Sequence, residues 1–217
     1  MISPRALIFV AVALAGFIGA ASEAWAHPHV FVVVKSELIF DAQGKVSGIR
    51  HAWTFDEMYS SFVTTGLTAD GAVASDAQLQ PVAETNVGDL AENSYITVTK
   101  SPGQKVEFDK PKDIGMSEGA DKLVTLRFTL PLKQALSAGK CFTLQVSDPS
   151  YFVAFDFAKT DAVKLVSPPS GCSLSVVQPK PLEDTEAKKL SEAYFSGLSP
   201  GSDFGIKLAS RAILACP

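Results

Sequence analysis

The sequence predicts a mainly β fold of the α+β kind, an antiparallel sheet or sandwich with a few flanking helices. Three observations carry this. Short runs rich in valine, threonine and aromatics recur from His29 to the C-terminal tail, separated by Pro, Gly, Asp and Ser, the pattern of short strands joined by turns. Helical spacing is confined to the stretches 58–67, 76–90 and 182–198. Between the first two strand runs, Ala42-Gln43-Gly44 suits a hairpin, with Gly44 in the left-handed position.

The chain opens with an expected export signal over 1–26. Arg5 supplies the positive start, Ala6 to Ala21 is apolar, and Ala24-Trp25-Ala26 fits the small-x-small cleavage pattern. The apolar stretch falls short of the roughly 20 residues a spanning helix needs. Cleavage would leave His27 first, residues 27–217 as a single β-rich domain with a C-terminal helix and tail, and no membrane span. The expected location is therefore the periplasm. Net charge is −4 without a basic stripe, so nucleic acid is not an expected partner.

"HVFVVVKSELIF" (29–40) and "VSGIRHAWTFDE" (46–57) read as the first two strands. "MYSSFVTTGL" reads as strand or short helix. The 76–90 stretch has Leu79, Val82, Val87 and Leu90 near helical spacing, and Pro81 places the expected helix start near itself. "SYITVTK", "KVEFD", "KLVTLRFTL", "KCFTLQVSD", "YFVAFDF", "AVKLVS" and "CSLSVVQ" read as further strands. Leu182–Leu198 has the acidic start of an amphipathic helix, and the tail ends in a strand.

Cys141, Cys172 and Cys216 are the cysteines, and no C-x-x-C is present, which removes the thioredoxin-like and zinc-ribbon readings. Outside the cytoplasm disulfides persist. Cys172 precedes a predicted strand and Cys216 ends the last one, so they are the expected pair, with Cys141 a buried thiol. The rival pairing is Cys141 with Cys172.

The candidate chemistry is at the mature start. Freed at its amine, His27 can hold a metal through that amine and its imidazole. His29, two residues on in a strand, points to the same side. Neutral imidazoles suit Zn, Cu, Ni and Co. Pro28 lacks the main-chain N–H that one common copper and nickel motif requires. In the simplest hairpin register His29 faces Glu57 and Lys35 faces His51, with Phe31, Val33, Trp53 and Phe55 sharing a face. Glu57 is then the nearest further ligand, and Asp56 replaces it if a bulge slips the register by one. His51 lies far along the strand and reads as structural. In "DPSYFVAFDF" (148–157), Tyr151, Val153, Phe155 and Phe157 take one face. Phe152, Ala154 and Asp156 take the other, with the Asp156 carboxylate expected to be satisfied by Arg50, Arg127 or a turn amide. No nucleophile elbow or Gly-rich phosphate loop is present.

"HPHVFV", "HAWTFDEMYS", "DPSYFVAFDF" and the terminal "GC…ACP" together resemble the domain-of-unknown-function 1007 family of exported bacterial proteins, over essentially the whole mature chain. That resemblance implies association with nickel/cobalt-type membrane transporters and a periplasmic role in metal handling, with no enzymatic activity to carry over. His27, His29, His51, Asp56 and Glu57 all fall in its motifs. The expected function is a periplasmic transition-metal-binding accessory protein of a metal transport system. The alternatives are a copper enzyme built on an N-terminal histidine brace, which would need His51, and an interaction module without a ligand.

Overall fold

The computed structural model describes residues 28–68, 71–139, 141–181, 183–186, 188 and 202–217. Its elements are β1 (Val30–Phe40), β2 (Val46–Phe55), α1 (Glu57–Thr64), α2 (Asp76–Asp89), a 3-10 segment (Leu90–Ile96), β3 (Thr97–Lys100), β4 (Lys112–Glu118), β5 (Val124–Leu136), β6 (Phe142–Val146), β7 (Val153–Phe157), β8 (Val163–Val166), β9 (Ser173–Val177), α3 (Ser202–Leu208) and β10 (Arg211–Ala215). The fold is mainly β, as expected. The signal segment and His27 lie outside the described residues, and so does most of the predicted 182–198 helix. No helix among the described residues is long and apolar enough to cross a membrane.

The β1–β2 hairpin forms as its turn residues dictate. The Asp41 N–H donates to the Lys45 carbonyl at 2.8 Å, and Gly44 has φ +71°. Phe40 pairs with Val46, but from Ile39 onward the register slips by one, because Ser47 is an extra residue in β2. The cause lies in β2 itself. Val46 and Ile49 are both fully buried three residues apart, which strict alternation cannot satisfy, and a bulge re-phases the strand. Gly48 permits it, because a Cβ there would meet the Leu130 carbonyl oxygen at 3.2 Å.

That slip corrects the simplest register. Ser36, not Lys35, faces His51, and Val32 faces Phe55. Trp53 and Phe55 point inward with Val32 and Val34, whereas Phe31 and Val33 are about half exposed on the open face. A one-residue slip exchanges the faces of a strand.

Six strands form one sheet in the order β4-β5-β2-β1-β7, with β8 also on β1. β7 and β8 lie parallel to β1, against its first and second halves; the other pairings are antiparallel. A second sheet runs β3-β6-β10-β9. The core divides in two. Leu38, Ile49, Phe142, Leu144 and Leu214 fill the space between the sheets. Nearer the start of β1, Trp53, Leu126 and Phe128 pack on Leu79, Ala83 and Val87 of α2.

The helix α2 begins five residues before Pro81, which lies inside it. The proline removes one backbone hydrogen bond. That cost is offset by the start, where Gln78 Oε1 accepts from the Ser75 N–H at 3.0 Å, and by burial of three apolar side chains. "KVEFD" contributes only a single bridge from Phe108 to Leu132; the strand is the following β4, an edge. Cys172 and Cys216 are bonded, at the ends of the paired strands β9 and β10, where Ser173 faces Ala215. Cys141 is exposed rather than buried. It precedes Phe142, which points inward at 0% exposure, so alternation turns the thiol outward.

Candidate functional site

His29 stands immediately before β1, exposed, on the same open face as Phe31 and Val33. Its N–H donates to the Phe152 carbonyl at 2.9 Å, and its ring lies 4.8 Å from that of Phe152. The entry to β1 is thus anchored to the segment before β7, with His29 an exposed residue beside Phe152.

Asp56 is committed to backbone. Its Oδ1 accepts from the Tyr59 N–H at 2.8 Å, capping α1, and its Oδ2 accepts from the Phe31 N–H at 2.6 Å. An acidic residue is favoured at this helix start by the exposed N–H groups of the first turn. Asp56→Ala is expected to cost about 1–2 kcal/mol, read as a lower urea midpoint. Asp56→Asn should recover only part of it, because the amide oxygen can still accept from Tyr59 but the NH2 group cannot accept from the Phe31 N–H. Glu57 follows as the first residue of α1, exposed. It comes two residues after Phe55, the partner of Val32, so it lies at the same end of the sheet as His29.

His51 is 1% exposed. Ser36 Oγ lies 2.9 Å from Nδ1, and Thr97 Oγ1 lies 3.2 Å from Nε2. Thr97 already donates its hydroxyl proton to the Tyr95 carbonyl. It therefore accepts from Nε2–H, and the Ser36 hydroxyl donates to Nδ1. Both ring nitrogens of the neutral imidazole are occupied, and the ring is flanked by Trp53 and Phe128 at 5.4 and 5.2 Å. Burial lowers its pKa to about 3, since the charged form would lose its hydration. His51 thus pins β1 and β2 of one sheet to β3 of the other. Ser36, its partner on β1, is seven residues beyond His29, roughly 23 Å at about 3.3 Å per residue. His51 and His29 therefore lie at separate places along the sheet, and both His51 ring nitrogens are already hydrogen-bonded.

Asp156 is exposed on the open face with Phe152 and Ala154 on its side, as the alternation predicts. Among the described residues its carboxylate is not held by Arg50, Arg127 or a turn amide. Among the described residues no three His, Cys, Asp or Glu side chains gather closely enough to hold an ion; His27 lies outside that set. The sequence reading missed the polar side chains that hold His51. Ser36 sits on the buried face between Val34 and Leu38, and a serine in an otherwise apolar stripe is the signal that could have found it.

A family model described as "Protein of unknown function (DUF1007)" matches residues 12–216. An uncharacterized protein of Haemophilus influenzae is 25% identical over 194 residues, 88% of this chain and 91% of that one.

Proposed function

The chain belongs to the DUF1007 family of proteins of unknown function, and within it we propose that this protein is a periplasmic accessory to a membrane metal transporter, holding a divalent transition metal at its processed N-terminus. The observation that carries the reading is the placement of His29. It is an exposed residue at the anchored entry to β1, beside the Phe152 ring and two positions along the chain from His27. The ligand set is the His27 amine and imidazole, the His29 imidazole, and Glu57 from the start of α1. Three nitrogens and one carboxylate suit Zn, Ni, Co or Cu over harder ions. The Cys172–Cys216 bond is compatible with an oxidising compartment. An ion held at an open chain terminus can also be handed on, as an accessory protein requires.

Equilibrium titration of the processed protein with Zn, Ni, Co and Cu tests this. His29→Ala and Glu57→Ala are each expected to weaken the preferred metal by well over tenfold. Affinity should fall with acid, because amine and imidazole bind only after losing a proton. His51→Gln should leave affinity nearly unchanged in its folded fraction. Binding that survives both His29→Ala and Glu57→Ala would reject this ligand set, and no binding at all would favour an interaction module.

A further inference from the structure

We propose that the open face of the six-stranded sheet carries a binding site for a small soluble polyanion, a phosphate- or carboxylate-bearing solute, in a trough above Ala52. The residues are distinct from the metal-binding set, and the inference does not depend on that reading.

The register builds the trough. Lys35 faces Ala52, and Ala52 faces Arg127, so the three lie in one row across β1, β2 and β5. All three belong to the open face, because their neighbours Val34, Trp53, Leu126 and Phe128 point into the core. Two strand spacings separate the cations, about 10 Å, and the small methyl of Ala52 leaves the floor between them open. On the far side of Arg127 the row continues to Gly115, which has no side chain to crowd the guanidinium. The next row carries Lys164, Glu37 and Arg50. Lys35, Glu37, Arg50, Arg127 and Lys164, with Asp161, line a cavity of about 270 Å³, enough for phosphate or a small polycarboxylate.

Charge supports the same assignment. Arg50 pairs with Glu37 at 2.6 Å, and Lys164 with Asp161 at 3.6 Å. Neither Lys35 nor Arg127 reaches a carboxylate among the described residues. Arg127 gives one N–H to Ser117 Oγ at 2.6 Å, which leaves further donors of its fork for a ligand. The chain as a whole carries −4, yet this trough holds two cations in excess. Like charges on one sheet face repel, and an anion seated between Lys35 and Arg127 relieves that.

The test uses the processed protein and two probes, inorganic phosphate and citrate, followed by calorimetry and by backbone NMR shifts at Ala52. Saturable binding in the millimolar range or tighter is expected, with citrate above phosphate, weakening as sodium chloride is raised. Lys35→Gln and Arg127→Gln should each weaken it at least fivefold. Lys133→Gln, on the same strand as Arg127 and roughly 20 Å away, should leave it unchanged. All three positions are solvent-exposed, and equal urea midpoints would show that the fold is kept. Failure of both probes to bind, or binding indifferent to Lys35→Gln and Arg127→Gln, overturns the proposal. So does binding to phosphatidylglycerol vesicles with neither free probe bound, which would make the face a lipid contact.

Discussion

His51→Gln is expected to flatten the acid limb of the stability curve. In the folded protein the His51 pKa is lowered from 6.5 to about 3. Between those values the unfolded chain takes up a proton at this residue and the folded chain does not. Stability therefore rises with pH across that window and is lost as pH falls through it. One such group contributes a slope of about 1.4 kcal/mol per pH unit. Accumulated over two units this is a sizeable share of a typical 5–15 kcal/mol. Carboxylates add acid sensitivity of their own, but equally in both proteins, so the difference isolates His51. Urea unfolding at pH 7, 6, 5 and 4 reads it. Wild type should lose about one proton's worth of slope more than His51→Gln. At pH 7 the variant should itself be weaker by about 1–3 kcal/mol, since glutamine cannot satisfy both Ser36 and Thr97 in the same shape. Equal slopes would mean that His51 titrates near its ordinary value, and so is not enclosed as described.

Breaking the Cys172–Cys216 bond is the second large effect. The cysteines are 44 apart in sequence, and the chain-entropy model gives about 4 kcal/mol for a loop of that size. Among the described residues β9 pairs only with β10, and much of its surface is exposed, so little else described holds that edge. The double variant Cys172→Ala/Cys216→Ala should lower the urea midpoint and expose β9 first, read by hydrogen exchange. Reductant should reproduce the loss in wild type and have no effect on the double variant. A midpoint unmoved by reductant would show the bond to be energetically idle.

The hairpin shows what the sequence makes legible. Lys35 and Glu37 already indicate that Val34, Ser36 and Leu38 face inward, and Ile49, His51, Trp53 and Phe55 alternate cleanly. The run Val30 to Val34 hides this, being apolar on both faces, and the Ser47 bulge then breaks the count from the turn. The Cys172–Cys216 pairing was readable because both cysteines flank strand runs. β4 was not, because an edge strand with a single buried side chain, Met116, carries little alternation. The parallel pairing of β7 and β8 with β1 was not legible either, since it is decided by the way the chain returns across the sheet. Of the candidate ligands, sequence alone could not separate Asp56 from Glu57. The bulge brings Asp56 to the Phe31 N–H and leaves Glu57 in solvent.

The most direct test of the metal reading changes only the chain's first residue. Processed protein beginning at His27 is titrated beside the same protein carrying one extra alanine before it. The extension removes the His27 α-amine from chelating range of its own imidazole and leaves the sheet, His29 and Glu57 in place. A loss of metal affinity of more than tenfold on extension, with an unchanged urea midpoint, is the expected result. Equal affinity of the two proteins would contradict the account, because the ion would then be held without the N-terminus.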